Sequence, residues 1–181
     1  MAPHQLNSQF DTMRVDPMRI SKLSLAVLAL VISASAVQAQ TNNASITATA
    51  AVQTPINVVG AQQLNFGNVF PGVNKTVAAT DLTNAGRFDV TGQNSTPVTL
   101  SFTLPATLSS GANTMPIDTY TGISALNSAQ TGGVAFNPVT GANPTLSGTG
   151  ALFVWIGARV TPATNQAQGT YTANVTMTVV Y

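Results

Sequence analysis

The sequence predicts an all-β fold, and three observations predict it. Val, Ile, Thr, Phe and Tyr recur in short runs separated by Gly, Pro and Asn. Nowhere does an apolar helical period persist for three turns. The segment 170–181 alternates throughout, with Tyr171, Ala173, Val175, Met177, Val179 and Tyr181 on one face and Thr170, Thr172, Asn174, Thr176, Thr178 and Val180 on the other. In chain order the runs place strands at 45–52, 56–59, 64–66, 73–78, 87–91, 98–104, 134–136, 152–160 and 170–181. The first alternates Ile46, Ala48, Ala50 and Val52 against Ser45, Thr47, Thr49 and Ala51. Pro71-Gly72, Thr91-Gly92, Gly132-Gly133 and Gly148-Thr149-Gly150 mark turns between runs. The run Leu152-Phe153-Val154-Trp155-Ile156 is apolar on both faces, which assigns Trp155 to the core rather than to a sugar-stacking surface. So many short strands in a chain with no Cys predict a β-sandwich with immunoglobulin-like connections and no disulfide.

Charge narrows the function classes. Only 6% of the 181 residues are charged, about a quarter of the usual share, and there is no Glu. Beyond residue 40 the charged groups are Lys75, Asp81, Arg87, Asp89, Asp118 and Arg159, three of each sign, and there is no His. A Ser nucleophile has no imidazole to activate it there, zinc has no thiolate or imidazole, and nucleic acid meets no basic stripe. The three Asp stand apart in sequence, unlike the ligands of a calcium loop. Asp81 falls in a polar turn, Asp89 shares a strand face with Arg87, and Asp118 follows Pro116 in a loop-like stretch. Structural roles are therefore assigned to all three, with no catalytic residue, cofactor or metal. Gly148-Thr149-Gly150 lacks the Lys of a P-loop and the third glycine of a dinucleotide fingerprint.

Residues 18–39 read as a secretory leader. Met18-Arg19-Ile20-Ser21-Lys22 supplies the basic start, residues 23–32 the apolar centre, and Val37-Gln38-Ala39 the small-residue cleavage site, with the cut between Ala39 and Gln40. The apolar centre is about half of the ~20 residues a bilayer span requires. No integral membrane segment is expected after cleavage. The acidic stretch ahead of Met18 places the true start at Met13 or Met18. Domain organisation follows as an upstream extension and leader over 1–39 and one sandwich domain over 40–181, its N-terminal strand at 45–52.

Laid out at ~3.3 Å per residue, the segment 170–181 would extend about 40 Å, twice an ordinary strand. With the chain ending there, its free edge is expected to need a partner. The alternating 45–52 segment could pair inside its own domain or across to another molecule by β-augmentation.

Asn65-Phe66-Gly67, Phe88-Asp89-Val90-Thr91-Gly92, Thr114-Met115-Pro116-Ile117 and the ending Gly169-Thr170-Tyr171 through Val175-Thr176-Met177-Thr178-Val179-Val180-Tyr181 together resemble a bacterial secreted domain-of-unknown-function family. That family is similar to spore coat protein U and to the archaic chaperone-usher pilins. The resemblance implies a pilin-like sandwich lacking its final strand, served in transit by a periplasmic chaperone and an outer-membrane usher and completed by the N-terminal strand of the next subunit. Carried onto this sequence, it implies a donor strand of Ile46, Ala48, Ala50 and Val52. It likewise implies an acceptor groove lined by Tyr171, Val175, Met177, Val179 and Tyr181.

The resulting expectation is an exported, non-catalytic structural or adhesive protein of the cell surface, a fimbrium-type subunit that partners itself or sibling subunits by strand exchange. The alternative is a self-contained exported adhesin or carbohydrate-binding module in which 45–52 completes its own sandwich.

Overall fold

The computed structural model describes residues 42–181; the expected leader and its Ala39-Gln40 cleavage site lie outside them. Chain contacts divide the protein into Met1–Thr49 and a compact unit from Ala50 to Tyr181, which holds every strand found among the described residues. No described residue is helical. The strands are β1 (Asn57–Gln62), β2 (Lys75–Val77), β3 (Gly86–Thr91), β4 (Thr99–Thr103), β5 (Thr107–Ser110), β6 (Asn113–Ala125), β7 (Val134–Phe136), β8 (Ala151–Val160) and β9 (Thr176–Val180).

All pairings are antiparallel. The larger sheet runs β1-β3-β8-β6, with β8 at its centre. One edge of β8 carries β3 from Gly86↔Ile156 to Thr91↔Ala151 and then β2 from Val77↔Ala158 to Lys75↔Val160. Its other edge carries β6, which also pairs β5 and β7. A glycine is required at the handover from β3 to β2, because a Cβ on Gly157 would run into the backbone of Val77, Ala78 and Ala79. β4 and β9 form a separate two-stranded sheet.

Alternation builds the core. Leu152, Val154 and Ile156 of β8 join Val90 of the larger sheet with Leu100 and Met177 of the smaller one in one buried cluster, so the two sheets share a core. The intervening Phe153 and Trp155 point the other way, where Trp155 is fully buried with Val77, Ala79, Ala85 and Ala125. Trp155 is thus buried as expected, but on the face of β8 turned away from the core that the two sheets share. A third cluster, Met115, Ile117, Ala158 and Val160, lies toward the groove described below.

Several elements differ from the sequence-based expectation. Residues 107–110 and 113–125 were not expected as strands, yet β6, at 13 residues, is the longest strand among the described residues. Its alternation is hidden by Pro116 and by a register shift between Asp118 and Thr121, where Thr119 takes a φ of 50°. The stretch holding Asp118 is thus strand, not loop. Residues 64–66 lie outside the ladders because the chain leaves the sheet after Gln62. The terminal segment is strand only over Thr176–Val180, the part that β4 pairs; 170–175 keep one isolated bridge, Ser109↔Thr172. Residues 45–52 form no strand among the described residues, and Ile46 and Val52 are 96% and 98% exposed.

Candidate functional site: a groove beside the terminal strand

Beyond β1 the chain is fixed by local bonds rather than by a ladder. The Asn65 amide donates to Asn84 O (2.8 Å) and the Gly67 amide to Asn65 Oδ1 (2.8 Å). Phe70-Pro71-Gly72-Val73 then forms a turn closed by the Val73 amide on Phe70 O (3.1 Å), with Pro setting one central φ and Gly72 supplying a φ of 72°. The Gly72 amide donates to Ala163 O (3.0 Å), tying the turn to the loop that precedes the terminal segment.

Residues 166–176 stand opposite. Gln166 Nε2 donates to Thr114 O (3.0 Å) and to Tyr171 Oη (2.7 Å), and Tyr171 Oη donates to Ala167 O (2.8 Å). The amides of Ser109 and Thr172 exchange bonds with each other's carbonyls at 2.9 and 3.0 Å. Between this wall and residues 60–71 runs a groove of about 1380 Å³, floored by Leu108, Met115, Ile117, Ile156 and Val160. No strand pairing joins its two walls among the described residues. The terminal strand thus has β4 on one edge and the groove beside the segment leading into its other edge.

The proposed acceptor residues divide. Tyr171 and Val175 line the groove. Met177 and Val179 instead pack into the shared core, drawn there by the pairing of β9 with β4. Tyr181 lies beyond β9, where its Oη donates to Thr54 O and accepts from the Gln93 amide (2.7 Å). The Thr54 amide in turn donates to Gln93 Oε1 (3.2 Å). This clasp, which the sequence pattern did not signal, holds the root of the N-terminal arm (residues 42–54) at the far end of the terminal strand from Tyr171. The proposed donor residues Ile46, Ala48, Ala50 and Val52 are all exposed on that arm. That Phe66, Val69 and Phe70 form a groove wall was also missed, since a few apolar residues in an irregular segment carry no periodic signal.

The aspartates are held locally. Asp81 accepts from the Asn84 side chain and from the Thr83 and Asn84 amides, which hold its carboxyl below the usual range. Asp89 pairs with Arg87 at 2.8 Å, the same-face pair that the sequence placed there. Asp118 pairs bidentately with Arg159 across β6 and β8 at 2.9 and 3.0 Å, and these bonds hold Asp118 below and Arg159 above their ordinary values. The neighbouring Tyr120 phenol is pushed up to about 12, first by burial and then by the Asp118 charge. Its Oη donates to Pro105 O (2.6 Å). Among the described residues no three His, Cys, Asp or Glu side chains stand together. No helix among them is long and apolar enough to cross a membrane.

Comparison with known families adds one finding. The chain belongs to the DUF4402 family, described as a domain of unknown function, whose model matches residues 33–181. No curated protein matches the chain.

Proposed function

We propose that this chain is an exported structural subunit that assembles by β-strand exchange, the N-terminal arm of one copy filling the groove of another. The observation that carries the reading is a pair of complementary features in one chain. One is an apolar-floored groove beside the terminal strand; the other is an alternating arm whose large apolar residues, Ile46 and Val52, are almost fully exposed.

Strand order supports it. The order β1-β3-β8-β6 together with β4-β9 corresponds to the four-stranded sheet of an immunoglobulin constant-type sandwich and two of the three strands of its partner sheet. The third would lie along the free edge of β9. This arrangement is what the resemblance to spore coat protein U and chaperone-usher pilins implies, and strand addition to such an edge is a recurrent recognition mode. Backbone hydrogen bonds would supply most of the grip, with about 1.5 to 3 kcal/mol each from Ile46 and Val52 if fully buried and much less from Ala48 and Ala50. On this reading the leader delivers the chain for export with cleavage after Ala39, a periplasmic chaperone covers the groove in transit, and an usher passes the subunit to the cell surface. No step requires catalysis, metal or cofactor.

The test is to export the mature chain beside a version lacking residues 40–52 and compare molar mass and thermal unfolding. Polymers from the first, with the second soluble only with a chaperone or added arm peptide, are the expected result. A stable full-length monomer that deletion simply unfolds would overturn strand exchange and favour the self-contained adhesin or carbohydrate-binding reading.

A further inference from the structure

The direction in which an arm enters a groove decides which surfaces of two copies meet. The Tyr181 clasp fixes the arm's root, Thr54, at the end of the terminal strand, and Ile56 anchors the next residue but one in the core. A chain's own arm, laid back along its own terminal segment, would run parallel to it. The arm of a second copy can enter antiparallel, the slightly more stable ladder. Its root, and the body carrying it, then arrive at the opposite end of the groove, roughly 33 Å away along residues 171–181 when these are extended.

That end is where the Phe70-Pro71-Gly72-Val73 turn stands. Phe70 and Val73 are 68% and 56% exposed, so two large apolar side chains face solvent on one short turn. The turn is held by two backbone bonds, Val73 N–H to Phe70 O within it and Gly72 N–H to Ala163 O beside it, and a Cβ on Gly72 would sit 3.3 Å from the Thr164 side chain. Phe70 also lines the groove, so the exposed pair is continuous with it. A preorganised apolar turn at a groove mouth loses little entropy on docking.

We infer that the Phe70–Val73 turn is a subunit contact that receives the Tyr181 end of the neighbouring copy, around its Thr54 and Gln93, when that copy's arm fills the groove. This rests on the strand-exchange reading. The contact joins unlike surfaces of identical chains, so it is head-to-tail and propagates into open filaments.

The test is the variant Val73→Asp, which leaves the groove-lining Phe70 in place and sets a charge in the apolar contact, in the full exported chain, compared with wild type for its critical concentration of assembly and its capture of a synthetic peptide of residues 42–54. Val73 is exposed and does not line the groove, so monomer thermal unfolding should be unchanged. The expected result is a critical concentration raised on the order of tenfold or more, with peptide capture intact. Assembly equal to wild type overturns the contact. Loss of peptide capture in the variant also overturns it, because the turn would then belong to the groove alone. A wild type that captures peptide yet stays monomeric overturns the contact while leaving the groove reading in place, and a wild type that does neither overturns both.

Discussion

Replacing Ile46 and Val52 by alanine should leave the isolated subunit untouched and weaken only the assembly. At 96% and 98% exposure these side chains contribute no burial to their own domain, so truncation removes none from the monomer. In a filled groove the change deletes three and two carbons, worth about 2.4 and 1.6 kcal/mol at roughly 0.8 per buried CH₂. Incomplete burial would lower that total of ~4 kcal/mol to roughly half, so the expected loss spans about 2 to 4 kcal/mol. In affinity this is roughly 30- to 700-fold. Because interface changes act mostly on dissociation, the assay is the rate at which polymers of the mature chain shed subunits after dilution. Monomer unfolding is followed in parallel through the single, fully buried Trp155. A lowered monomer melting temperature would show that the arm packs in its own domain. Unchanged shedding in the double variant would show that its apolar face grips nothing. Either result refutes the reasoning.

The other predictions concern the domain itself. Gly157→Ala drives a Cβ into the backbone where β2 replaces β3, so the melting temperature should fall with a loss of about 1 to 3 kcal/mol or more; Gly148→Ala, with open space around it, should be near neutral. Tyr181→Phe keeps the ring but removes both bonds of its hydroxyl, and should cost about 0.5 to 1.5 kcal/mol and speed hydrogen exchange at the Gln93 amide; unchanged exchange would deny the clasp. The Tyr120 phenol lies above its ordinary value, so its contribution is complete below pH ~10 and is lost as pH rises through about 12; Tyr120→Phe should flatten that alkaline limb of a stability titration. Asp118 lies below its ordinary value, so its contribution is present above the usual carboxylate range and disappears as pH falls through the depressed folded value; Asp118→Asn should remove that part of the acid limb.

What the sequence determined by itself is what a strand writes locally. The bounds of β7 and, within one residue, of β3 and β8 are legible in their runs, as is the core position of Trp155 between two apolar faces. So is most of the phase of the terminal segment: Thr172, Asn174, Thr176, Thr178 and Val180 all face solvent while Tyr171, Val175, Met177 and Val179 are at least half-buried, although Ala173 and Tyr181, expected on the same face, are exposed. Alternation encodes these because the pleat sends neighbouring side chains to opposite faces whatever the partner. Tertiary structure decided the rest. β6 is one long strand only because β8 pairs it on both sides of the irregularity at 118–121. The face that reads as uniform from Tyr171 to Tyr181 is divided between groove, core and clasp because β4 pairs only Thr176–Val180. Residues 45–52 alternate as a strand does and yet pair with nothing described. Which edge a strand meets depends on distant segments, and no local period records it.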